Sequence, residues 1–247
     1  MYISKIPNIL SVVVGICSFV YTCYILCYLT YFLSNHGDNQ NLHTASGDNA
    51  GESILWSLLI DMLLIKIFVF QHSIMANEFF KHIFCRLQIE YLSRSIYNAC
   101  SSASLHFLIS KWQHTPAVTI WKFETSNEAV WMLFSGFHVF AWSIIYSGCI
   151  MIDIPELCGL KQIWYKVSER SSLLDTKSNE FRRYMKHMRH PSFIGFLTIL
   201  WIYPIMSVDR VLLATILTIY MALRWTIDFE DYNYHKRYFR QKQIELS

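Results

Sequence analysis

Two polar clusters in the last quarter of the chain carry side chains suited to an ionic ligand: Arg189-His190-Pro191 and Asp228-Phe229-Glu230-Asp231. Arg189 can fork onto a carboxylate, and His190 accepts or donates a proton near neutral pH. Proline suits the first turn of a helix, where its missing N–H would be unpaired anyway and the free amides favour an anion. Glu230 adds a carboxylate for a cationic group. An ordinary helix start, with Arg189 reaching to lipid headgroups, accounts for the same residues.

Other candidates are scattered. Asp61 and Lys66 interrupt an apolar run, where ionisable groups are costly and often functional; five residues apart, they point about 140° from each other on a helix and are not expected to pair. His72, His106 and His138 also fall in apolar stretches. Paired helix histidines bind haem in some bundles, but single histidines packed by a hydrogen bond are commoner, and that is the expectation for His72. The seven cysteines form no CxxC pair and lie mostly in apolar runs, so they read as small hydrophobes rather than a disulfide framework or a zinc site. No metal site is expected.

The elements that position these residues are membrane helices. Of 247 residues, 53% are hydrophobic and 16% charged, and mean hydropathy is positive. A net charge of +3 does not suggest a nucleic-acid binder. A span needs about 20 mostly apolar residues. Candidate spans run over 9–33, 54–76, 95–109, 130–152, 192–206 and 208–223, all within a single membrane domain covering 1–247. The first is too long for a signal-peptide core and lacks a small-residue cleavage site, so it is expected to stay. A continuous helix over 192–223 would be about 48 Å long, well beyond a hydrocarbon core of roughly 30 Å. Pro204 and the polar Ser207-Val208-Asp209-Arg210 stretch near its middle predict two short helices in a hairpin. Such a hairpin returns Glu230 to the face that holds His190.

Basic residues collect on the cytosolic side of membrane proteins. With six spans, 17 Lys and Arg fall on one side, and only Lys111, Lys122 and Arg210 on the other. The fold class is therefore an all-α polytopic bundle of about six transmembrane helices with a C-terminal hairpin and both termini cytosolic or nucleoplasmic. The lipid bilayer is its expected partner, and direct sequence-specific nucleic-acid binding is not expected. The tail from Tyr232 to Arg240 mixes aromatics with Lys236, Arg237 and Arg240; this suits a helix at a lipid surface, contact with chromatin or lamina components, or a solvated cap.

Arg189-His190-Pro191-Ser192-Phe193-Ile194-Gly195 resembles the RHPxYxG box of the isoprenylcysteine carboxyl methyltransferase family, and Phe229-Glu230-Asp231 resembles the FEE element that follows it. Over most of the chain the resemblance is closer to the nurim group, which includes nuclear-envelope proteins and bacterial methanethiol methyltransferase-like proteins. Gln71-His72-Ser73, Arg94-Ser95-Ile96-Tyr97, Gly159-Leu160-Lys161-Gln162 and the run from Gly195 through Trp201 and Pro204 to Leu213 carry it.

The resemblance implies a multi-pass protein of the inner nuclear membrane, or else of the endoplasmic reticulum membrane, on a methyltransferase-like helical core. It also implies that His190, Pro191, Gly195 and Glu230 would contact S-adenosylmethionine. Glu230 would meet the donor's amino group and the helix start its carboxylate. Activity, if retained, would be methyl transfer to a thiol or a lipid-linked acceptor. Phe193 stands where the box has tyrosine, Arg183 and Met185 where it has a leading glycine and tyrosine, and Asp231 where the second glutamate belongs. These departures bear on activity more than on the fold.

Overall fold

The computed structural model describes residues 6–35, 50–170, 192–224 and 229–245. The apolar runs become helices: α1 (Ile6–Ser34), α2 (Ala50–Met75), α4 (Ser93–Lys111), α5 (Glu128–Ile152), α8 (Phe193–Trp201) and α9 (Val208–Arg224). Between them lie the short helices α3 (Glu78–Arg86), α6 (Ile154–Leu157) and α7 (Leu160–Val167), and α10 (Phe229–Glu245) follows the last. Three helices, α1, α2 and α5, are long and apolar enough to cross a membrane. Their outward faces are strongly apolar, with Leu10, Trp56, Phe70, Val139 and Phe140 all more than 60% exposed. A soluble protein would hide such faces; a bilayer solvates them.

Local signals set several boundaries. Asn77 caps α3 by accepting from Phe79 N–H at 3.3 Å, and Asn127 caps α5 by accepting from Ala129 N–H at 3.0 Å. Gly159, in the left-handed region at φ +87°, ends the turn before α7. A Cβ there would lie 2.7 Å from the Ser95 backbone nitrogen, so only glycine lets this turn close onto the start of α4. Beside it Lys161 Nζ donates to Asp153 Oδ2 at 2.6 Å.

Lipid tails are as apolar as leucine, so helices associate in a membrane through close packing and internal hydrogen bonds rather than by escaping water. Packing here pairs α1 and α2 with α4, and α5 with α8. Ile65, Ile199 and Leu200 fill the centre, and Ala141 and Ala214 are fully buried. Gly195 on α8 marks a close approach to α5: a Cβ would come within 2.7 Å of Ile145 Cγ1 and 2.8 Å of the Ala141 carbonyl oxygen. Small residues on both helices permit this approach.

The expected helix over 192–206 is shorter than its apolar run. It ends at Trp201, and Ile205–Ser207 is strand β2, antiparallel to β1 (Thr119–Lys122) in the register Thr119↔Ser207, Trp121↔Met206 and Lys122↔Ile205. Pro204 has no N–H to continue a helix, and its carbonyl instead accepts from Phe123 N–H at 2.9 Å. The chain still reverses here, and α8 and α9 pack as the two arms of a hairpin. The polar stretch over 207–210 is not a solvated turn, however: Asp209 and Arg210 lie in the first turn of α9, 2% and 8% exposed.

Candidate functional site

His190 and Pro191 lie outside the described residues. Glu230 is the second residue of α10, and its side chain is outside the description as well. The framework around them is described. Trp201 Nε1 on α8 donates to Thr218 Oγ1 on α9 at 3.0 Å, which fixes the antiparallel register of the two arms. Counting outward from that pair at 1.5 Å per residue, Ser192 at the start of α8 and Arg224 at the end of α9 come to the same end of the hairpin. Gly195 lies one turn inside that end, its hydrogen face filled by α5.

On the same half of the bundle, His72 joins three helices. The Tyr97 hydroxyl on α4 sits 2.9 Å from His72 Nε2 and 3.0 Å from Nδ1, and Ser101 Oγ is 3.4 Å from Nδ1. One residue on, Ser73 Oγ lies 3.2 Å from the Tyr220 hydroxyl of α9, whose ring meets the His72 ring edge-on at 6.3 Å. Gln71 Oε1 accepts from Ser104 Oγ at 2.9 Å. A hydrogen-bonded role for His72 is thus what the structure shows. Within the bundle, where water is scarce, each such bond removes the cost of an unsatisfied polar group. His106 and His138 are held in the same manner: Tyr21 OH lies 3.2 Å from His106 Nδ1, while His138 reaches Ser34 Oγ at 2.8 Å and the Ile202 carbonyl at 2.9 Å.

The opposite end holds a second polar network. Asp209 accepts from Trp112 Nε1 at 3.0 Å on one carboxylate oxygen and from Thr115 Oγ1 at 3.1 Å on the other, with His114 Nδ1 3.5 Å away. The guanidinium of Arg210 lies 3.2 Å above the centre of the Tyr203 ring and donates to the Leu33 carbonyl. Tyr203 in turn donates to the Asn35 carbonyl, the last described residue beyond α1. Asp61, fully buried on α2, accepts from the Gln113 N–H at 2.9 Å. These contacts tie the end of α1, the segment after α4 and the start of α9 around a cavity of about 420 Å³, and Asp61 fastens the middle of α2 to that same segment. Tyr31, Trp112, His114 and Lys122 share its lining with Asp209 and Arg210.

Chemically the network holds two buried charges, each met by its own partners, Asp209 by donors from the segment after α4 and Arg210 by the Tyr203 ring and the Leu33 carbonyl, an arrangement that fixes geometry. Reading the sequence as a polar turn missed it. The available signal was that Asp209 and Arg210 interrupt an apolar run, and ionisable groups at membrane depth normally face a partner. Asp61 and Lys66 follow the expected split: Asp61 is buried in this network and Lys66 is exposed. Among the described residues no three metal-ligating side chains converge.

No family model and no solved structure matches the chain. Among known proteins it is similar to the Nurim homolog of Drosophila pseudoobscura pseudoobscura, 32% identical over 98% of this chain and 97% of that protein. The Nurim homolog of Drosophila melanogaster is 31% identical over 98% of both. Human Nurim is 36% identical over 79% of this chain and 75% of its own length.

Proposed function

The chain belongs to the nurim family, and on that premise we propose that it is a multi-pass protein of the inner nuclear membrane, built on a methyltransferase-like helical core and acting chiefly as a structural or interaction protein. The observation that carries this reading is how little of the described chain stands away from the bundle. The longest described connection between helices, residues 112–127, is held against the bundle by the pairing of β1 with β2, and the apolar outer faces of α1, α2 and α5 suit lipid over nearly their full length. Six membrane-crossing segments then place the basic loops and both termini in the nucleoplasm, where α10 is positioned to meet lipid headgroups, lamina or chromatin components. The test is location and extraction: the tagged protein should concentrate at the nuclear rim and resist alkali. Even spread through the endoplasmic reticulum, or release by alkali, would refute it.

A second reading has a specific observation in its favour. The hairpin of α8 and α9 brings residues 192 and 224 to one end, and these two residues are the described ones nearest in sequence to His190 and to the start of α10, which carries Glu230. In this reading the protein is a methyltransferase and S-adenosylmethionine supplies the methyl group. His190 and Pro191 would hold the donor's carboxylate with the amides at the start of α8, and Glu230 its ammonium. Gly195 would contribute through backbone and close packing, since α5 occupies its open side. Photocrosslinking of labelled donor to the purified protein tests it. Labelling lost in His190→Ala and Glu230→Ala supports the reading; absent labelling, or labelling indifferent to both changes, refutes it.

A further inference from the structure

Among the described side chains of α2, Lys66 is an ionisable one that the bundle leaves outside. Asp61, five residues earlier, is fully buried; Lys66 is exposed, on the wall of a shallow groove of about 550 Å³ formed by Ile67, Val69, Phe70 and Ser73 of α2 with Ile216 of α9. Among the described residues no carboxylate lies within ion-pair distance of it. The residues from Ile67 to Met75 put its Cα about 13 Å from the end of the helix, near the middle of a hydrocarbon core about 30 Å thick. Cα–Cβ bonds tilt toward a helix's N-terminus, here away from that nearer end. The four-carbon stem covers only about half the distance, so reaching headgroups does not relieve this charge well.

Lys66 also sits in register with an apolar seam. Trp56, Leu59, Leu63, Lys66 and Phe70 follow one another at alternating steps of three and four, and the apolar members are 66%, 42%, 58% and 67% exposed. That spacing is how one helix presents knobs to another, and a single polar residue in such a seam selects partner and register. We infer that the outer face of α2 around Lys66 docks a transmembrane helix of another protein that carries an aspartate or glutamate at the same depth. Charge complementarity chooses this occupant. A second copy of the chain offers no suitable acid among its described residues, because Asp61 and Asp209 are buried and engaged. Lipid phosphates lie at the interface, above Lys66. The partner's carboxylate and the Lys66 ammonium together remove two charges from hydrocarbon, which neither helix achieves alone.

The test uses the full chain in native nuclear-envelope membranes with a photoreactive benzoylphenylalanine at Ile67. A discrete adduct is expected, with the crosslinked peptide mapping to a membrane helix that contains Asp or Glu. Lys66→Arg should keep it, and Lys66→Met should reduce it on the order of tenfold, the occupancy lost with one polar contact between membrane helices. Lys66→Asp should abolish it, and the reciprocal acid-to-lysine change in the partner should restore it. Protection of the buried Cys158 from a maleimide reports that each variant is folded, and Lys66→Gln replaces any variant that loses that protection. Adducts to lipid alone, to a second copy, or to a helix without an acid would overturn the inference, as would an adduct indifferent to the charge at residue 66.

Discussion

Trp112 donates its indole N–H to the Asp209 carboxylate at 3.0 Å, across 97 residues of sequence. Trp112 directly follows α4 and Asp209 lies in the first turn of α9, so this bond joins the end of one helix to the start of another. Thr115 saturates the other oxygen, and Arg210, next along the chain, stacks on Tyr203. The end of the bundle opposite the basic loops is thereby locked by charges rather than by apolar packing alone.

Removing the Asp209 carboxylate should be costly. Asp209→Ala strips the acceptors from Trp112 and Thr115, and each buried donor left unpaired costs about 1–3 kcal/mol. Thr115→Val removes one hydroxyl and should cost only about 1 kcal/mol. Thermal unfolding of the detergent-solubilised protein should rank the two in that order; equal effects would mean that Asp209 does not organise this end.

Gly195 should tolerate no side chain. Gly195→Val drives two methyl groups toward Ile145 and the Ala141 carbonyl, forcing α8 away from α5 at a cost of about 1–3 kcal/mol. Gly136, whose Cβ would meet nothing within 4 Å, is the control, and Gly136→Ala should leave the unfolding midpoint unchanged or slightly raised.

Thiol chemistry should separate Cys85 and Cys158, which lie near short turns of the chain. Cys85 is exposed on α3, while burial pushes the Cys158 thiol up to about 11 from an ordinary value of 9. A buried thiol raised in this way stabilises the folded state fully below the ordinary value, and that contribution fades as pH rises through 9 toward the folded value. At pH 8 a maleimide should modify Cys85 quickly and Cys158 only after unfolding. The unfolding midpoint should fall between pH 9 and 11, and Cys158→Ala should flatten that fall.

The orientation drawn from charge asymmetry can be checked with glycosylation acceptors. His43→Thr completes an Asn-x-Thr acceptor at Asn41, and His235→Thr completes one at Asn233. Six crossings with a nucleoplasmic tail require glycan at Asn41 and none at Asn233. The reverse pattern would invert the topology, and glycan at both sites would give an odd number of crossings.

Much of the architecture was legible in advance because hydropathy is a local property. The apolar runs became α1, α2, α4, α5 and α9 with ends displaced by only a few residues, and the reversal near Pro204 occurred where a helix of about 48 Å would have outgrown the bilayer. The run after Ser192 was harder to read: Ile202–Ser207 is as apolar as a helix, but β1 offers its backbone another partner. Periodicity cannot register a strand that arrives from more than 80 residues away. The ligand-binding reading of His190 and Glu230 came from motif order; His190 lies outside the described residues, and the hairpin brings only residues 192 and 224 to one end.

By itself, then, the sequence determined that this is a helical membrane protein of nurim type, where its helices lie and how unevenly its basic loops divide, because length, hydropathy and charge are written residue by residue. Only the tertiary structure decided which polar groups inside those helices have partners. Asp209 meets Trp112, Asp61 meets the Gln113 amide, His138 bridges Ser34 and Ile202, and Lys66 is left outside the bundle. The physical reason is that hydrophobicity acts on each segment separately, whereas satisfying a buried charge needs a donor or acceptor from another helix, and chain folding alone supplies it.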